Sequence, residues 1–197
     1  MPNIVSICGT SRPGNYTGMA LAIVNDELTR LGASVTPIDA GDLSLSFPGQ
    51  PQTEDAERLR AAVEGASGVI LATPEYHGGY SAMTKLIIEN LGFPSVLRNK
   101  PTALLGVAAG RIGAIKSLEQ LRAVTSHIGA LVLPGSVSIA GVKAAFDEDG
   151  TCTDPAVEAA LRGLAIALVD FMKEYVCPKY ELEQMVRRDG PAWTASV

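Results

Sequence analysis

The chain has 197 residues, 47% of them hydrophobic and 19% charged, with a formal net charge of −5. That length suits a single domain, and that apolar share excludes a disordered chain, because enough surface can be buried to offset conformational entropy. The acidic balance gives a nucleic-acid-binding surface no global support, so any anion would have to be recognised by a local basic pocket.

Asn3 to Cys8 is a short β-branched run and predicts a buried strand. From Thr17 the apolar positions Leu21, Val24, Leu28 and Leu31 fall at helical spacing, and Gly32 closes that helix. Val35 to Asp39 predicts a second strand, followed by a long irregular loop over residues 40–53. Ala56, Leu59 and Val63 mark a second helix, and Gly68 to Thr73 a third strand that Pro74 is expected to stop. Met83, Leu86, Ile87, Asn90 and Leu91 predict a third helix, Thr102 to Ala108 a fourth strand, and Ile115, Leu118, Leu121, Thr125 and Ile128 a fourth helix. Ala130 to Ile139 predicts a fifth strand interrupted at Pro134-Gly135, and Phe146 to Gly150 an acidic turn. Asp154-Pro155 opens the last strong helix, through Val157, Leu161, Leu164, Leu168 and Phe171. Strands alternating with helices in this way require a parallel sheet covered on both faces. Residues 1–176 are expected to form that domain and residues 177–197 a C-terminal arm or tail, which holds Trp193, the only tryptophan.

Cys8, Cys152 and Cys177 are odd in number and show no C-x-x-C or metal-finger spacing. They predict reduced thiols and no metal site. The first residues carry neither a basic region nor a long apolar core, and the apolar stretches 103–110 and 163–169 are far shorter than the ~20 residues of a membrane span. The expectation is a cytoplasmic protein without a signal peptide or membrane segment.

In an open parallel sheet, ligands bind beyond the carboxyl ends of the strands. Three glycine-bearing loops lie there. The first, Gly9 to Thr17, joins a strand to a helix N-terminus, where free N–H groups and the helix dipole favour an anion. The hydroxyls of Thr10, Ser11 and Thr17, the amide of Asn15 and the charge of Arg12 suit a phosphate monoester. Gly9 and Gly14 have the spacing of a nucleotide-hydrolysing phosphate loop, but Asn15-Tyr16 replaces its Lys-Ser/Thr. Ser11 likewise occupies the second glycine position of a dinucleotide fingerprint, so that pattern also fails. The second loop, Thr73 to Ser81, pairs Gly78 with Gly79 and offers Tyr76 as a flat wall; the third is Ala108 to Gly113. Together they describe a phosphate seat beside a slot for a planar, hydrogen-bonding ring.

Several of these segments occur together in one known family. Gly9-Thr10-Ser11-Arg12-Pro13-Gly14-Asn15, Thr73-Pro74-Glu75-Tyr76-His77-Gly78-Gly79 with Lys85, the glycine-rich turn followed by Leu118-Glu119-Gln120-Leu121-Arg122, and Phe146-Asp147-Glu148-Asp149-Gly150 stand in order at that family's spacing. From about Asn3 to about Lys173 the chain resembles the NAD(P)H-dependent FMN reductases. The resemblance implies a flavodoxin-like three-layer α/β sandwich with a five-stranded parallel sheet in the order 2-1-3-4-5. It implies that Thr10, Arg12, Asn15 and Thr17 hold the FMN phosphate, with Ser11 and Tyr16 completing that loop. Pro74, Glu75, Tyr76, His77 and Gly78 would line the isoalloxazine, and Ala109, Gly110, Arg111 and Gly113 would close its other side. In this chain Asn15 stands for the usual serine, His77 for an asparagine, and Arg111 where glycine is commoner. The implied reaction is hydride transfer from NADPH or NADH to the flavin and then to a small acceptor such as a flavin, quinone, azo compound or metal oxyanion. The flavin carries the chemistry, so no catalytic side chain is expected. The alternative weighed is a flavin-binding electron carrier without NAD(P)H activity. The family also implies a homodimer or homotetramer, in which Glu75 would pair with a basic residue of a neighbouring subunit.

Overall fold

The computed structural model describes residues 1–189, so Trp193 lies outside the described part of the chain. The elements follow in chain order as β1 (Asn3–Cys8), α1 (Tyr16–Arg30), β2 (Ser34–Asp39), α2 (Glu54–Glu64), β3 (Gly68–Tyr76), β4 (Gly79–Tyr80) and α3 (Ala82–Asn90). They continue with β5 (Pro101–Val107), α4 (Ile115–His127), β6 (Leu131–Val132), β7 (Val137–Ile139), α5 (Pro155–Phe171) and α6 (Cys177–Asp189). The sheet runs β2-β1-β3-β5, with β6 and β7 both parallel to β5 on the far side. The predicted fifth strand is thus one strand broken in two at Pro134-Gly135, and the predicted order 2-1-3-4-5 holds.

Alternation along the strands sorts the core into two layers. Ile4, Ile70, Ala103 and Leu105 face α1 and α5, where Val24, Leu28, Leu161 and Leu168 are fully buried. Val5, Ile7, Val69, Leu71 and Leu104 face the other way, against Leu59, Val63, Ile87, Leu91 and Leu121 of α2, α3 and α4. The central strands are buried on both faces, which is why they read as continuous apolar runs. The N-cap side chains are supplied locally: Asn15, Thr53, Ser81 and Asp154 each accept a backbone N–H in the first turn of the helix that follows.

One expectation needs correction. Pro74 does not end the third strand. β3 continues to Tyr76 and turns back as β4, with Glu75 opposite Tyr80 and Tyr76 opposite Gly79. Pro74 stands opposite Val107, where β5 ends, so its missing N–H costs the sheet no interior rung. The polar segment that follows Val176 is helical over Cys177–Asp189. A π turn over Met172–Val176 leads from α5 into α6, and Tyr175 in the turn and Leu182 and Met185 in α6 are exposed. Among the described residues no helix is long and apolar enough to cross a membrane, and all three cysteines are free.

Candidate cofactor site

Parallel pairing aligns the ends of β1, β3 and β5 on one edge, with Cys8 beside Ala72 and Thr73 beside Gly106. The loops after these strands, and the N-termini of α1, α3 and α4, share that edge. The first loop is shaped by Asn15. Its Oδ1 accepts the Gly18 N–H at 2.7 Å and the Cys8 thiol at 3.5 Å, while its Nδ2 donates to the Arg12 carbonyl at 2.8 Å. Thr10 is buried, and its hydroxyl accepts the Arg12 N–H at 3.3 Å and lies 3.3 Å from the Tyr76 hydroxyl. Thr17 is buried at the start of α1, Tyr16 is half-buried against Phe146, and Ser11 and Arg12 are exposed.

A buried hydroxyl cluster locks the first loop to the second. The Gly9 carbonyl accepts hydrogen bonds from the hydroxyls of Ser81 and Thr84, and Thr84 Oγ1 also lies 3.0 Å from Thr73 Oγ1. Thr73 Oγ1 accepts the Ser81 N–H at 3.1 Å. Gly9 is required by this junction, since a Cβ there would overlap Thr84 Oγ1 and approach the Ala72 carbonyl to 2.7 Å. Burial pushes the Cys8 thiol up to about 11, and the nearby charge of Asp39 adds to the effect.

The second loop is a two-residue hairpin turn. His77 and Gly78 have φ of +53° and +77°, the left-handed values such a turn demands at both central positions. His77 is exposed at its tip, and the Gly78 carbonyl accepts from Gln120 Nε2 at 3.1 Å. Tyr76 is 42% exposed on the same edge. Glu75 turns toward α4, whose N-cap Ala114 has no capping side chain. Its carboxylate accepts from the Ser117 hydroxyl at 3.3 Å and the Ser117 N–H at 3.5 Å, so within one chain it serves as the missing cap.

In the third loop Ala109, Gly110 and Arg111 are exposed, while Gly113 is buried. The Gly110 carbonyl accepts from Gly113 and Gly141, and the Ala114 N–H donates to Ser138 Oγ at 2.8 Å. The structure therefore brings the three predicted loops together and adds contacts by Ser81, Thr84, Ser117, Gln120 and Ser138, none of which is among the predicted site residues. Ser81 had a signal, as a serine directly before a helical run. The others act across 24 to 75 residues of chain and had none.

The donor chemistry of this edge fits FMN. Exposed Ser11 and Arg12 stand at the N-terminus of α1, where a phosphate is favoured, and a Cβ on Gly14 or Gly110 would meet no atom within 4 Å. Bare backbone thus faces open space on both sides of Tyr76. The fold defines a flavodoxin-like α/β protein, with the three glycine-bearing loops gathered on one edge of its sheet.

Comparison with known proteins takes this class to a family. Residues 2–144 match the family described as NADPH-dependent FMN reductase. The chain is 30% identical to an NADPH azoreductase of Bacillus sp. (strain OY1-2), over 82% of this chain and 89% of that protein. It is 28% identical to an NAD(P)H-dependent FMN reductase of Pseudomonas aeruginosa, over 77% and 84% of the two chains. In structure it resembles a flavoenzyme NAD(P)H:(acceptor) oxidoreductase from Paracoccus denitrificans, with a TM-score of 0.72 at 23% identity, over 89% of this chain and 99% of that one. A flavodoxin from the domain Archaea has the same fold, with a TM-score of 0.63 at 14% identity, over 88% and 100% of the chains. The chain belongs to the NADPH-dependent FMN reductase family, oxidoreductases that use FMN with NADPH or NADH.

Proposed function

We propose that the protein is an FMN-dependent NAD(P)H oxidoreductase that reduces a small acceptor: a quinone, an azo compound, a free flavin or a metal oxyanion. The observation that carries this reading is the convergence of three glycine-bearing loops on one sheet edge, joined through Thr10 and Tyr76 across 66 residues of chain. Bound FMN would supply the ring that accepts and returns a hydride. The chain's own part is placement. Arg12, Ser11 and the first turn of α1 hold the phosphate, with Thr10, Asn15, Tyr16 and Thr17 shaping that seat. Pro74, Glu75, Tyr76, His77 and Gly78 form one wall of the ring slot, and Ala109, Gly110, Arg111 and Gly113 the other. Glu75 acts there through its backbone, because its side chain is engaged at α4.

The resemblance to an NADPH azoreductase supports azo compounds among the acceptors. Residues 1–176 form the catalytic domain and 177–197 an arm. Assembly into a homodimer or homotetramer is supported by Phe93, 98% exposed beside a groove of about 580 Å³ between α3 and α4 that is lined by Ile88, Val124 and Ile128. The three free thiols favour a cytoplasmic location.

The test is to load the purified protein with FMN, add NADPH and menadione or an azo dye, and follow absorbance at the nicotinamide band. Steady turnover that depends on both FMN and acceptor is expected. Lack of turnover with every small acceptor would sink this reading.

A further inference from the structure

The basic residues of this acidic chain are unevenly engaged. Arg30, Arg58, Lys85, Arg162 and Lys179 each pair with a carboxylate. Arg60, Lys100 and Arg122 donate to backbone carbonyls. Among the described residues, six cations make neither kind of contact. Arg98 and Lys173 lie at the amino edge of the sheet, but Arg12, Arg111, Lys116 and Lys143 all lie at the carboxyl edge, beside the ring slot. Cations left without a partner in a protein of net charge −5 concentrate positive potential there.

One phosphate accounts for Arg12. It does not account for Lys116, which stands in the first turn of α4, where the helix dipole disfavours a cation. The Lys116 stem lies against the hairpin turn, its Cδ 3.8 Å from where a Cβ on Gly78 would be. The stem thus runs along the second loop from the first turn of α4, and α4 follows directly on the third loop, which carries exposed Arg111. Glu75 is held by Ser117, and neither it nor Glu119, three residues after Lys116 in α4, forms an ion pair with either cation. Lys143 is followed closely by the acidic turn Asp147-Glu148-Asp149 and is a weaker anion ligand for that reason.

We infer that Lys116, assisted by Arg111, forms the subsite for the 2′-phosphate of NADPH and sets the preference for NADPH over NADH. This rests on the reductase reading and names which nucleotide it uses and why. NADPH differs from NADH only by that phosphomonoester, so an ammonium without a carboxylate partner on this edge is the group that would tell them apart.

The test uses FMN-loaded full-length protein and two probes without a nicotinamide, adenosine 2′,5′-bisphosphate and 5′-AMP. Calorimetry should give tighter binding of the bisphosphate. Lys116→Ala should reduce that difference by about tenfold, the worth of one charge-assisted hydrogen bond, while Lys116→Arg retains most of it. In steady state the ratio of kcat/KM for NADPH to that for NADH should fall by the same factor, through KM rather than kcat. Equal binding of the two probes by the wild type, or equal weakening of both by Lys116→Ala, overturns the inference and leaves the reductase reading intact. A chain that takes up no FMN in a flavin-fluorescence titration overturns that reading, and the inference falls with it.

Discussion

Arg12 is exposed and without a partner, whereas Asn15, three residues on, has both ends of its amide engaged in shaping the loop. In the proposed phosphate seat the two residues would therefore do different work, Arg12 as ligand and Asn15 as scaffold. Arg12→Ala should weaken FMN binding by at least about tenfold with little loss of stability, as read by flavin-fluorescence titration beside a melting curve. Cys8 shows the opposite case of a residue protected by its surroundings. Its thiol is raised from an ordinary 9.0 to about 11, mainly by burial, so at neutral pH it stays protonated and inert. Iodoacetamide at pH 7.5 should label exposed Cys177 and spare Cys8, as read by peptide mass mapping. The unfolded chain would lose the Cys8 proton near pH 9 and the folded one near pH 11. The unfolded state thus binds fewer protons in that window, and this residue's contribution to stability is present below pH 9 and lost as pH rises to 11.

Between elements, two junctions hold the edge in shape. At the first, β1, β3 and α3 meet so closely at Gly9 that no side chain fits. Gly9→Ala should cost about 1–3 kcal/mol in a urea titration, because it must displace Thr84 or the Ala72 carbonyl from a buried cluster. At the second, Glu75 closes the N-terminus of α4 from a neighbouring strand. Glu75→Gln keeps the shape and removes the charge, and should cost about 0.3–1 kcal/mol by the same measurement. Sequence reading placed Glu75 and Gly9 in the right loops but missed why they are there. Periodicity identifies a strand and a helix separately, whereas the contact between them depends on the sheet register. The β4 hairpin was missed for a related reason. Proline usually ends a strand, and only the position of Pro74 opposite the last residue of β5 makes it tolerable.

For the molecule as a whole, the two apolar layers close around the sheet without α6, which leaves through a π turn and keeps Leu182 and Met185 exposed. Truncation after Val176 should therefore lower the melting temperature by less than about 3 °C and leave FMN affinity unchanged, as checked by scanning calorimetry and fluorescence titration. A larger loss would mean that the arm belongs to the folded domain. The amino-acid sequence by itself determined the alternation of strands and helices, the parallel sheet and the three loops that gather at one edge. Those features are written in local periodicity and in glycine, proline and capping residues, which act within a few residues of chain. The tertiary structure decided the rest: that Thr10 reaches Tyr76, that Glu75 faces Ser117 and that Lys116 lies without a partner against the hairpin turn. Each of these depends on distance and burial between segments far apart in the chain, and these distances are set only when the two layers pack.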